Sequence, residues 1–145
     1  MKQVVINGGL NYSGLLTPKW IIEYLKRKNI NAYVYIINPV SLTEFQYEKQ
    51  DPNELDSNEE VYFESYLTID KDIITAEEYE NLSDEYFICK SELFKDREDP
   101  ILIEIAKEIN NEEMIKIVEI PDDVSYHVVD VGFEEHIVEN HRIWK

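Results

Sequence analysis

Cysteine is almost missing from this chain. Cys89 is the only one, so no internal disulfide can form, and a reducing, cytoplasmic setting is expected. Cys89 ends the apolar run Tyr86-Phe87-Ile88-Cys89. It reads as a buried core thiol rather than a nucleophile, because reactive thiols need an electropositive setting. Cations are scarce as well: 14 Lys and Arg stand against 31 Asp and Glu, a formal net charge of −17. Such a charge repels DNA, RNA and anionic membranes, so direct binding to nucleic acid or lipid is not expected. No stretch approaches the length of a membrane span. The N-terminal run Val4-Val5-Ile6 is too short for a signal-peptide core and has no small-residue cleavage site. The glycosylation-like triplets Asn11-Tyr12-Ser13 and Asn81-Leu82-Ser83 are therefore read as accidental.

Signatures of catalysis are equally sparse. The three histidines do not assemble into a Ser/His/Asp set, and paired carboxylates carry no information in so acidic a chain. His127, in Ser125-Tyr126-His127-Val128, reads as a satisfied sheet residue. His136 and His141 are five residues apart, the wrong spacing for two metal ligands on one helix face. Neither an enzyme nor a cofactor nor a metal is expected.

What is present suffices for a core. A chain of 145 residues, 43% hydrophobic, is expected to form one α+β domain over 1–145 without a disulfide or structural metal. Ten tyrosines offer rings with an apolar body and a polar tip. Val4-Val5-Ile6 reads as a buried strand ended by Asn7-Gly8-Gly9. Thr17-Pro18 opens a helix to residue 28, with Trp20, Ile21, Tyr24 and Leu25 on one face, cations at its end and Asn29 as C-cap. Ala32 to Ile37 reads as a strand. Residues 38–60, with Asn38-Pro39, Asp51-Pro52-Asn53 and seven carboxylates, read as an acidic, mobile connection. Strands are expected over Val61 to Ile69 and Tyr86 to Cys89, with a short helix from Ala76 to Leu82 between them. Asp99-Pro100 opens a second long helix, to about residue 110, striped by Ile101, Leu102, Ile105, Ala106 and Ile109. Strands follow over Met114 to Ile120 and Val124 to Val129. Gly132 then breaks the pattern, and Phe133 to Trp144 reads as a short helix or an irregular tail. Strands and helices do not alternate strictly, which favours a mixed or antiparallel sheet over a doubly wound one.

Three constellations could touch a ligand. The loop Asn7-Gly8-Gly9-Leu10-Asn11-Tyr12-Ser13-Gly14 lies between a strand and a helix, where backbone N–H groups can face an anion. The residues after Gly14 are Leu15-Leu16 rather than Lys-Ser or Lys-Thr, which excludes an NTP-binding P-loop; the other reading is a tight turn that needs glycine. In the tail, His141, Arg142 and Trp144 could grip a base and its phosphate by stacking and hydrogen bonding, or Trp144 could plug the core while Arg142 pairs with a carboxylate. Arg97, just before the second helix, is either an ion-pair residue or a group aimed at a bound anion.

Two stretches are similar to a family of small uncharacterised proteins of tailed phages and prophages. Val4-Val5-Ile6-Asn7-Gly8-Gly9 with Leu16-Thr17 resembles its first strand, glycine loop and helix cap. Arg97-Glu98-Asp99-Pro100-Ile101-Leu102-Ile103 resembles its Arg-x-Asp-Pro-x-Leu-Ile motif, and Lys116-Ile117-Val118-Glu119-Ile120-Pro121-Asp122-Asp123-Val124 its strand and turn. Glu135, Val138, Glu139, His141, Arg142 and Trp144 match its ending. The likeness covers the last third of the chain well and the first quarter loosely; residues 38–90 have no counterpart, and Leu10-Asn11-Tyr12-Ser13 are extra.

The resemblance implies a fold and a biological setting, the cytoplasm of a bacterial host, but no reaction. The expectation is a phage counter-defence protein that acts by stoichiometric binding. Its leading form is a homo-oligomeric sponge for a nucleotide-derived immune signal, held by Asn7, Gly8, Gly9, Asn11, Tyr12, Ser13, Gly14, Arg97, His141, Arg142 and Trp144. The alternative form is an acidic nucleic-acid mimic that occupies a basic host defence protein, using residues 44–64 among others. A small nucleotide phosphodiesterase using one of the histidines is the catalytic alternative.

Overall fold

The computed structural model describes residues 1–9, 15–55, 64–132 and 134–140. The chain is α+β, and among the described residues every strand pairing is antiparallel. It groups into two compact units, residues 1–16 with 94–145 and residues 17–93.

In the first unit, β1 (Lys2–Asn7) pairs with β7 (Ile115–Ile120), Val4 opposite Val118 and Ile6 opposite Lys116. Strand alternation puts Val4, Ile6 and Ile120 on one face, where the partly buried Val118, Tyr126, Val128 and Ile137 cover them. Tyr126, Val128 and Ile137 come from β8 (Tyr126–Val131) and β9 (Glu134–Glu139), a hairpin in which Val131 pairs with Glu134. Gly132, with φ of 69°, follows β8 at the start of the turn. Val5 lies on the other face, fully buried, and α3 (Pro100–Ile109) packs against both β1 and β7 through Leu102, Ile105 and Ala106. Burying each such aliphatic side chain contributes roughly 1.5–3 kcal/mol. Asp99 caps α3 by accepting from the Ile101 N–H at 2.9 Å, Pro100 takes the first helical position, and Asn110 ends the helix in the left-handed conformation.

The second unit holds α1 (Pro18–Arg27) and a five-stranded sheet. Its strands are β2 (Tyr33–Pro39), β3 (Phe45–Gln50), β4 (Glu64–Leu67), β5 (Ile73–Thr75) and β6 (Phe87–Ile88), ordered β5-β3-β2-β4-β6. Ile21, Tyr24 and Leu25 are the buried stripe of α1, which lies against β2 and a 3-10 turn over Pro52–Leu55. Asn29 takes a positive φ just beyond the helix, as expected for a C-terminal cap. On one sheet face Tyr35, Tyr47, Leu67 and Ile74 form a core, with Tyr33, Tyr79, Leu82 and Phe87 packed on it. The buried Tyr35 hydroxyl donates to the Ile69 carbonyl and accepts from the Lys71 N–H, fixing the chain between β4 and β5.

Three expectations change. Residues 38–55 are not a plain connection: β3 lies inside that range, pairing with β2 over Val34 to Pro39. Phe45-Gln46-Tyr47-Glu48 alternates as a strand should, and the surrounding carboxylates hide the pattern. Within the C-terminal segment, Glu134–Glu139 form strand β9 rather than helix or tail. Val131 and Val138 point to solvent while Glu135 lies inward, so its apolar pattern is out of step with its fold. Cys89 is exposed rather than buried, because β6 ends at Ile88 on the sheet edge; its Sγ lies 3.0 Å from Ser91 Oγ.

Candidate functional site

The first candidate surrounds the end of β1. A Cβ on Gly8 would lie 2.2 Å from the Glu112 carbonyl oxygen, so only glycine fits against the segment leading into β7. Gly8 N–H donates to the Met114 carbonyl at 2.9 Å. Gly9, at φ of 101°, donates its N–H to Asn7 Oδ1 at 2.9 Å. These two loop amides are thus satisfied within the chain rather than offered to an anion.

Arg97 takes the ion-pair role. Its Nη1 and Nη2 donate to Glu135 Oε1 and Oε2 at 2.7 and 2.8 Å, and Nη1 reaches the Val5 carbonyl at 3.3 Å. Glu135 Oε1 also accepts the Asn7 N–H at 2.7 Å, and Val5 N–H donates to the Arg97 carbonyl at 2.9 Å. Both side chains are largely buried. Arg97 and Glu135 therefore stand where a further strand would pair with the outer edge of β1, and they close that edge to other chains. Leu10 and the sequence-predicted contacts Asn11, Tyr12, Ser13, Gly14, His141, Arg142 and Trp144 lie outside the described residues.

The second candidate is the carboxylate display of the second unit. Asp70, Asp72, Glu77, Glu78, Glu80, Asp84 and Glu85 are all exposed, and Lys71 is the only cation between residues 70 and 85. The scaffold beneath them is well tied. α2 (Ala76–Glu80) starts in a capping box: Thr75 Oγ1 accepts the Glu78 N–H at 3.1 Å, and Glu78 Oε1 accepts the Thr75 N–H at 3.4 Å. Tyr79 stacks on Tyr47 with ring centres 3.8 Å apart, meets Phe87 edge-on at 5.2 Å, and shares a 3.0 Å hydroxyl contact with Ser65. That ring pins α2 to the sheet and leaves Glu77, Glu78 and Glu80 on the outside. The hydrogen bonds of Lys71, then of Thr75, hold the Glu78 carboxyl below its ordinary range.

Within residues 44–64, Glu44, Asp51 and Glu54 are exposed and Glu48 half-buried. Glu64 departs from an acidic-surface role. Its side chain is buried, paired with Lys90 at 2.7 Å and within 3.4 Å of the Tyr66 hydroxyl. Burial, with Glu64 adding to it, pushes the Tyr66 phenol far above its ordinary range.

Several of the described cations engage the chain's own groups. Arg27 pairs with Glu23 at 3.0 Å, Lys49 with Asp70 and Asp72, Lys71 with Glu78, and Lys116 with Glu134 at 3.1 Å. Lys2, Lys19 and Lys28 lie over the rings of Tyr126, Trp20 and Tyr24. Among the described residues no group of three or more His, Cys, Asp or Glu is placed to hold a metal ion.

No family model, curated protein or solved structure matches the chain. Sequence reasoning singled out Arg97 but not its partner, since 38 residues separate it from Glu135 and both neighbours of Glu135 are polar. It also passed over Tyr79, the apolar residue in Ala76-Glu77-Glu78-Tyr79-Glu80, which is the one signal that could have marked it as an anchor.

Proposed function

We propose that this protein acts by stoichiometric binding: its acidic surface docks on a basic, nucleic-acid-binding protein. In the phage setting that the resemblance implies, the partner is a host defence effector and the protein a counter-defence inhibitor. The observation that carries this reading is the distribution of charge. The ion-paired cations answer the chain's own carboxylates, Asp70, Asp72 and Glu78 among them, and Glu77, Glu80, Asp84 and Glu85 of residues 70–85 stay outward on a tied scaffold. Such a field attracts basic surfaces and competes with the phosphates they normally hold.

Sequestration of a nucleotide-derived signal has less to stand on. Of its expected anchors, Arg97 is engaged by Glu135, and the Gly8 and Gly9 amides are engaged by Met114 and Asn7.

The test is affinity capture from bacterial lysate on the immobilised protein. A basic nucleic-acid-binding protein should be retained at low salt in equal stoichiometry and displaced by added duplex DNA. Retention that duplex DNA leaves untouched, or retention of no basic protein, contradicts the proposal.

A further inference from the structure

The turn of the β2–β3 hairpin is apolar where a solvent-facing turn should be polar. Residues 37–45 are all exposed, and four of them are large and apolar: Ile37, Val40, Leu42 and Phe45. Leu42 is wholly exposed and Val40 57% exposed. The turn is nevertheless ordered by its own backbone. Val40 and Ser41 N–H groups donate to the Glu44 carbonyl at 2.9 and 3.1 Å, and Ser41 Oγ accepts the Glu44 N–H at 3.1 Å.

The patch continues the sheet's apolar face. Ile37 pairs with Tyr47 and Pro39 with Phe45, so these four share the face of the tyrosine core. Phe45 meets Tyr47 edge-on at 5.9 Å. The side chains of α2 cover that face at Tyr47, and beyond it Ile37 and Phe45 are exposed. Contiguous exposed apolar surface rimmed by polar groups marks docking sites.

Charge identifies the occupant. No Lys or Arg occurs between residues 29 and 48, and the exposed carboxylate of the turn is Glu44, while Glu48, paired with Ile36, lies on the opposite face of the sheet. Glu80 on α2 lies close enough to act on the Tyr47 phenol. An acid-rimmed apolar knob is repelled by an anionic bilayer, and by a second copy of a chain that carries −17. It complements an apolar cleft edged by Lys and Arg, with an aromatic ring as anchor. We infer that the hairpin tip, through Val40, Leu42 and Phe45, is the specificity element of the proposed interface and inserts into a basic-rimmed apolar cleft of the partner protein. This rests on the acidic-docking function proposed above and adds the place where contact is made.

The experiment is a titration of the isotope-labelled protein, followed by amide NMR, with an amphipathic helical peptide bearing leucines on one face and Lys and Arg along its borders. Controls are the same peptide with Glu borders and vesicles of phosphatidylcholine alone or mixed with phosphatidylserine. The largest shifts are expected over residues 37–45 with the basic peptide only. Leu42→Ser with Phe45→Ser should weaken binding about tenfold or more, while Leu42→Ser alone leaves the thermal midpoint unchanged. Shifts confined to the carboxylates of residues 70–85 overturn the hairpin assignment and leave acidic docking standing. An absence of shifts at low salt overturns both. Equal binding of the Glu-bordered peptide, binding to either vesicle, or concentration-dependent self-association through the tip assigns the patch to another occupant and overturns the inference.

Discussion

Glu135 receives three hydrogen bonds, two from the Arg97 guanidinium and one from the Asn7 N–H. Removing its charge leaves a buried guanidinium beside a neutral amide, so Glu135→Gln should cost about 2–4 kcal/mol in urea unfolding. Arg97→Lys should also destabilise, because an ammonium cannot reproduce the two-pronged contact. Tyr126 gives a spectroscopic reading of the same neighbourhood. Its burial, together with the hydrogen bond to Glu98 at 3.0 Å, pushes the phenol up to about 12. A phenol raised in the folded state stabilises fully below its ordinary value near 10 and loses that contribution as pH climbs through the folded value. Ultraviolet titration should therefore show Tyr126 among the tyrosines that ionise late, and Glu98→Gln should bring it back towards 10. An unchanged titration in that variant would place the cause in burial alone.

At the scale of elements, the five-residue α2 is too short to stand by itself and depends on its capping box and on Tyr79. Tyr79→Ala should destabilise the second unit by about 2–4 kcal/mol and speed amide hydrogen exchange across residues 75–82 before the rest of the sheet. Uniform exchange would contradict the anchoring role. The two long helices were legible because Thr17-Pro18 and Asp99-Pro100 announce their starts and apolar stripes at helical spacing follow. β1, β2 and β7 were legible as β-branched runs. Three other strands were not: β3 alternates, but among carboxylates that hide the pattern, β5 has only three residues, and β9 turns Glu135 inward and Val138 outward. Cys89 misled for a related reason: an apolar run at a sheet edge buries only part of itself. Of the candidate site, the glycine turn and Arg97 could be picked out by residue type, whereas the Arg97–Glu135 pair depends on long-range folding that no local pattern encodes.

For the whole molecule, a net charge of −17 bears on stability and on the proposed binding alike. Like charges repel across the surface, so added salt at neutral pH should raise the thermal midpoint by screening that repulsion. Acid has an opposing effect through specific pairs. The side-chain hydrogen bonds of Lys71 and Lys116 hold the Glu78 and Glu134 carboxyls below their ordinary value of 4.5. Their stabilisation is complete above that value and is lost as pH falls through the lower folded values. Glu78→Gln should flatten this acid limb in a thermal scan and leave the neutral-pH response to salt unchanged. The central claim is that the carboxylate surface does the binding. The most direct measurement is the dissociation constant of the complex with the captured basic partner as a function of NaCl concentration. A steep linear fall of log affinity with log salt, shallower when Asp70, Asp72, Glu77 and Glu80 are replaced by their amides, is the predicted result; an affinity indifferent to salt and to those four replacements would contradict it.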